Sequence, residues 1–256
     1  MMQKQYIENL AKKGLRADGR AFDEYRQPVS VEYDISAKSA EGSARVKIGD
    51  TEVVAGVKLE VSKPYPDTPD AGTLMVSVEL TPMASPRFES GPPSIEAIEL
   101  ARVVDRGIRE SGALDFKKLC IRKKELMWTV IVDIYPINAS GNLFDACALA
   151  AIAAIKNARF PLLVEDTVDY KTKTEEALPL TKVPISCTIH KIEGKYFVDP
   201  IEDEENASGA RLTIAIIEDG KICALQKGGE NPLSEEDISN MADLALKKTS
   251  ELRSAL

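Results

Sequence analysis

The chain reads as an α+β protein, and three observations predict this. Runs of β-branched and apolar residues punctuated by glycine turns are followed by helical periodicity, and this order occurs twice. The strand-like run Trp128–Ile137 passes through Asn138-Ala-Ser-Gly-Asn142 into Leu143–Ile155, a helix apolar almost all the way round. Such a helix has to be covered on several sides. Finally, the apolar fraction is 44% over 256 residues, enough for a sizeable core in one large or two modest domains.

Taken in order, residues 2–13 predict a short amphipathic helix with Tyr6, Ile7, Leu10 and Ala11 on one face, stopped at Gly14. The turn-rich segment Gly14-Leu-Arg-Ala-Asp-Gly-Arg20 follows. Strands are expected at Val29–Ile35, Ser43–Ile48 and Thr51–Val61, with Gly49-Asp50 as a hairpin turn. Lys63–Asp70 carries three prolines and has to be a loop. A strand resumes at Thr73–Leu80, and the proline-containing loop Thr81–Ser94 leads to a helix at Ile95–Ser111. Leu119–Ile121 and Met127–Ile137 are strands before the buried helix. Leu162–Val183 is polar with little periodicity and reads as a connector. Four strands follow at Ile185–Ile192, Lys195–Val198, Ala210–Ile217 and Lys221–Gln226. Ser234-Glu-Glu-Asp237 has capping-box spacing and opens a last helix to Leu252. The boundaries are 1–161 for the first half, 162–184 for the connector and 185–256 for the second half.

The net charge of −8 argues against a surface coated for nucleic acid, so any such contact has to be a local patch. Met1–Tyr6 has no apolar signal region and no run approaches membrane-spanning length, so a cytoplasmic protein is expected. The four cysteines are scattered without a CxxC pair, and reduced thiols are expected instead of disulfides or zinc. His190 is the sole histidine and lies mid-strand, a poor place for a catalytic base.

Arg102, Arg106 and Arg109 recur at i, i+4 and i+7. This stacks three guanidinium groups on one helix face, a row that matches successive phosphates of a single strand. The alternative is a solvated face balanced by Glu99, Asp105 and Glu110. The acidic run Asp199, Glu202, Asp203, Glu204 and Glu205 is either a hard-cation site or, preferably, a solvated loop. Pro86-Arg87-Phe88 is either a base-stacking loop or an ordered surface loop. Lys117, Lys118, Arg122, Lys123 and Lys124 read as surface. The turn Ser140-Gly141-Asn142-Leu143 has the frame of an anion site at a helix N-terminus. Asn142 has the place of an N-cap, and Asp145, three residues on, would occupy the positive end of the dipole.

Gly14–Arg20, the helix start Pro92–Leu100, the strand order and the central turn-helix together resemble the ribonuclease PH family over nearly the whole chain. Ile98–Arg106, Trp128-Thr-Val, Gly141–Ala146 and Val198–Glu205 resemble one branch of it, the non-catalytic ribonuclease PH-like subunits of the archaeal exosome. The resemblance implies a ribosomal protein S5 domain 2-like core joined to a C-terminal ribonuclease PH domain. It also implies a ring of three heterodimers with a catalytic paralogue, RNA-binding cap subunits and single-stranded RNA as ligand. Catalytic relatives hold inorganic phosphate with an arginine at the central helix start, where this chain has Leu143. They also place an aspartate where this chain has Gly209-Ala210-Arg211. No catalytic residue, metal or cofactor is therefore expected in this chain, and phosphate would be used at the partner's site. Arg102 and Arg106 match the branch's RNA-contacting arginines. The competing expectation is an active homo-oligomeric phosphorolytic exoribonuclease.

Overall fold

The computed structural model describes residues 2–256. It builds two sheets around one nearly all-apolar helix. The first sheet comprises β1 (Val29–Tyr33), β2 (Gly42–Ile48), β3 (Thr51–Ser62), β4 (Thr73–Val78), β5 (Cys120–Arg122) and β6 (Leu126–Asn138). Its order is β1-β2-β3-β6-β4, with β5 also pairing β6. All pairs are antiparallel except β4 with β6, which run parallel from Thr73↔Thr129 to Val78↔Ile134. On β3 the burial alternates strictly from Thr51 to Leu59, as expected for a sheet with one face on the core.

After β6 come α3 (Leu143–Asn157) and the pair β7 (Arg159–Val164) and β8 (Thr167–Ala177). The helix α2 (Ile95–Glu110) precedes β5. The second sheet contains β9 (Ile185–Ile192), β10 (Lys195–Val198), β11 (Ala210–Ile216) and β12 (Ile222–Gly228), in the order β10-β9-β11-β12. A short helix, α4 (Glu202–Ala207), links β10 to β11, and α5 (Glu235–Arg253) ends the fold.

The apolar circumference of α3 has a direct cause. It packs on β2, β3 and β6 of one sheet and on β9 of the other, so it has no solvent face to make polar. Leu149, Ile152 and Ile155 are essentially inaccessible. The same helix thereby joins the two halves in a single core. On the far side of the second sheet, α5 covers β9 and β11. Its start is the expected capping box: Asp237 N–H donates to Ser234 Oγ at 3.1 Å, and Ser234 N–H donates to Asp237 Oδ2 at 2.8 Å.

Two expectations need correction here. The polar connector is mostly an antiparallel hairpin, β7 on β8, running from Arg159↔Ala177 to Val164↔Thr167. It escapes periodicity because β8 is exposed along most of its length and β7 buries the adjacent pair Phe160 and Pro161 instead of alternating. The acidic run is not a solvated loop. Glu202–Glu205 open α4, and Asp199 and Glu204 are fully buried. The helix α1 (Met2–Lys12) packs against α4, and Ile7 and Ala11 share a small cluster with Ile192, Phe197 and Ala207. Residues at the start of the chain thus dock on the second sheet.

Candidate functional site

The residues just after α1 carry three arginines that reach the acidic run. Arg16 is buried and grips Glu204 with two bonds, Nε to Oε1 at 3.1 Å and Nη2 to Oε2 at 2.6 Å. Its remaining protons go to the carbonyls of Ala21, Val198 and Asp199. Arg26 takes Asp199 in a fork, at 2.9 and 2.8 Å, and Arg20 adds a third contact at 3.2 Å. Buried carboxylates persist only when paired in this way. Among the described residues no group of three or more potential ligands is arranged to hold a metal ion.

Arg26 also fixes the turn before α3. It donates to the carbonyls of Ser140 at 2.5 Å and Gly141 at 3.1 Å, and Thr51 Oγ1 donates to Gly141 O at 2.6 Å. Gly141 has φ +99°, and a Cβ there would lie 2.3 Å from Pro200 O. The turn is therefore pressed onto the segment entering α4, and only glycine fits.

Asn142 holds the expected N-cap position of α3 but does not cap it in the usual way. It adopts a left-handed conformation, φ 54° and ψ 44°, and its side chain caps no helix amide. Asparagine tolerates this region better than most residues. The result turns the carboxamide inward, where Nδ2 donates to Asp145 Oδ2 at 3.1 Å and to Asp199 Oδ1 at 3.0 Å. Asp145 is not the charge that occupies the dipole end either. It is buried and accepts from the Tyr25 hydroxyl at 3.1 Å. The helix entrance is closed instead by Glu205, whose Oε1 accepts the Asn142 amide N–H at 2.8 Å.

Burial pushes both carboxyls up, each to about 7, with the Asn142 contacts partly opposing it. Leu143 is buried at the next position. An incoming phosphate would meet an occupied amide, an apolar side chain and three carboxyl groups. These groups oppose an anion at the Asn142 end of the turn, and the cations beside it, Arg20 and Arg26, are engaged by Asp199.

The helix α2 carries the arginine row. Ser94 Oγ accepts the Ala97 amide at 3.2 Å and starts it. Ala97, Leu100, Val104 and Ile108 face the core, while Arg102, Arg106 and Arg109 are exposed. All three line a groove of about 690 Å³ between β4 and β12, beside Val76 and Gln226. The row is not uniform. Arg109 is tied to Asp105 at 3.1 and 2.8 Å and to Leu74 O at 2.9 Å, and its guanidinium lies over the Phe116 ring. Glu99, the expected neutraliser of Arg102, pairs with Arg211 at 2.5 Å instead. Among the described residues neither Arg102 nor Arg106 has an ion-pair partner within 4.0 Å.

The other candidates are quieter. Phe88 is buried under Arg87, which pairs with Glu96 at 3.0 Å, so its ring is not offered to a base. His190 is buried, burial pushes it down to about 3, and neither ring nitrogen has a partner among the described residues. Sequence reasoning missed the clasp of Arg16, Arg20 and Arg26 on Asp199 and Glu204, the Glu205 plug and the Arg211–Glu99 pair. The three arginines and five acids were visible as clusters, but nothing local marks a pairing across some 180 positions.

Two family models match this chain: the 3′ exoribonuclease family domain 1 over residues 25–161 and domain 2 over residues 182–248. The exosome complex component Rrp42 of Methanocella arvoryzae is 46% identical over 255 residues, covering 100% of this chain and 95% of that protein. The Rrp42 component of Pyrococcus furiosus is 44% identical, covering 98% of this chain and 91% of that protein. A chain of the Archaeoglobus fulgidus exosome with RNA bound to the active site superposes with a TM-score of 0.89. It is 43% identical and covers 99% of this chain and 97% of that chain. Both halves of the fold and its whole length are thus matched, and the chain belongs to the 3′ exoribonuclease family of ribonuclease PH, in the branch of the archaeal exosome Rrp42 components.

Proposed function

We propose that this chain is a non-catalytic subunit of a cytoplasmic RNA-degrading exosome. In this reading it alternates with a catalytic ribonuclease PH-like paralogue in a hexameric ring of three heterodimers. RNA-binding cap subunits deliver substrate to the ring. The chain supports the paralogue's active site, where inorganic phosphate is consumed, and needs no cofactor of its own. Arg102 and Arg106 hold backbone phosphates of single-stranded RNA during 3′-to-5′ degradation. Sequence preference is weak, because phosphate contacts carry no base information.

The observation that carries this reading is the closed turn at Ser140–Leu143. Phosphorolysis needs a held phosphate and a proton donor for the leaving oxygen. The Asn142 amide, at the head of the turn, is taken by Glu205 at 2.8 Å. By resemblance, the stretch that carries the general acid in catalytic relatives is here Gly209-Ala210-Arg211, which has no carboxylate, and Arg211 pairs with Glu99. The names of the similar proteins and the open Arg102 and Arg106 side chains support the rest.

The test is phosphate-dependent degradation of single-stranded RNA by the purified chain, alone and with the catalytic paralogue. The expected result is no activity alone and phosphate-dependent release of nucleoside diphosphates by the pair. Activity of the isolated chain, abolished by a substitution at Glu205, would return it to the class of active homo-oligomeric exoribonucleases.

A further inference from the structure

Three carboxylates line the α2 groove with Arg102 and Arg106: Glu99, Asp105 and Glu110. Asp105 is taken by Arg109. Glu99 stands one turn before Arg102 on the same face, the spacing at which a helix forms side-chain ion pairs. Glu99 is instead drawn across to the second sheet by Arg211 of β11, at 2.5 Å. The site that holds Arg211 is built for it. The guanidinium lies over the Phe144 ring at 4.6 Å, in the first turn of α3. Gly228 of β12 is its register partner, and a Cβ there would come within 2.4 Å of Arg211 Cζ. The partner on the other side is His190, which burial and Arg211 together keep neutral, so no second cation competes for Glu99.

We infer that Arg211 is a positioning residue for the RNA groove, holding Glu99 away from Arg102, one turn on, so that Arg102 presents its charge to phosphate. The inference rests on the RNA-binding reading of that groove. It gives a task to a cation at a place where catalytic relatives would have an acid. Arg211 acts through Glu99 and touches no RNA itself.

The experiment measures binding of a short fluorescent oligoadenylate to the complex of this chain with its catalytic paralogue, in phosphate-free buffer across a salt series. Arg102→Ala/Arg106→Ala serves as the reference, and loss of affinity there is required for the groove to be the RNA site at all. Arg211→Ala should weaken binding about threefold at low salt and make the log–log salt slope shallower by about 0.7, the release from one single-strand phosphate. Arg211→Ala/Glu99→Gln should restore both affinity and slope, because the freed carboxylate is gone. Glu99→Gln alone should bind as well as the parent or better. This last variant also guards against misfolding of Arg211→Ala, since a structural tie between α2 and β11 would be broken equally by either substitution.

Weak binding by Glu99→Gln, failure of the double variant to recover, or an unchanged Arg211→Ala would each overturn the inference while leaving the groove intact. Failure to recover would mean that Arg211 is a tie or a direct phosphate contact. An unaffected Arg102→Ala/Arg106→Ala complex would instead remove the groove reading itself, and the inference with it.

Discussion

Glu205 Oε1 accepts the Asn142 amide N–H at 2.8 Å, so a carboxylate from α4 stands where the positive end of α3 would otherwise meet an anion. The contact depends on how closely the two segments approach, and Gly141 sets that distance. Gly141→Ala places a methyl group 2.3 Å from Pro200 O at a φ of +99°. It should destabilise the fold by about 2 kcal/mol or more, through strain and overpacking together. Urea unfolding checks this, and a midpoint within error of the parent would mean that the turn is not held as described.

Asp145 gives the fold an unusual pH dependence. Burial raises its carboxyl from the ordinary 3.8 to about 7. Between those values the folded chain keeps a proton that the unfolded chain has released. Stability from this group therefore falls as pH rises through that window, and the full cost stands above about pH 7. The cost is on the order of 4 kcal/mol. Asp145→Asn keeps an oxygen for the Tyr25 hydroxyl and removes the titration. Its stability relative to the parent should rise from about pH 5 to about pH 8. Parallel pH–stability curves for the two proteins would contradict the buried protonated acid.

Arg16→Ala leaves Glu204 without a partner in a fully buried site. Removing one member of a buried ion pair typically costs about 3–5 kcal/mol, because the other charge remains. Thermal unfolding should register a large loss, and Arg16→Ala/Glu204→Gln should recover part of it. A loss no greater than that of an exposed arginine would show that water reaches Glu204.

The arginine row should divide in function as it divides in geometry. Arg109 spends its donors on Asp105 and Leu74 O. Arg109→Ala should leave RNA affinity of the complex near the parent value while lowering stability by about 1 kcal/mol. Arg102→Ala/Arg106→Ala should do the reverse, and the salt slope should fall by about 1.4 for two single-strand phosphates. Filter-binding titrations at several salt concentrations separate the two patterns.

Much of the fold could be read from local patterns. Ile185–Ile192 and Lys195–Val198 fall where apolar runs and the Gly194 turn put them, and the capping box at Ser234 opens α5. The hairpin Arg159–Ala177 could not be read, because β8 is mostly solvent-exposed and neither strand keeps two-residue alternation. Six-residue α4 has no apolar stripe, and the Arg16–Glu204 pair ties it to a distant part of the chain. The candidate site was legible as residue types and spacings. Which carboxylate each arginine takes was not, since Glu99 is equally close in sequence to Arg102 whether or not Arg211 reaches it. The occupant of the α3 entrance was read as Asp145 for a similar reason: helical spacing favours a neighbour three residues on over one 63 positions away.

The clasp of Arg16 on Glu204 also sets a clock. The two residues are separated by 188 positions. At ordinary synthesis rates of about 5–20 residues per second, roughly 10–40 s pass between them on the ribosome. For that interval α1 and the three arginines behind it have no sheet to dock on, while the first sheet and α3 can already collapse. The segment from α1 to Arg26 therefore stays undocked until the second sheet has been made.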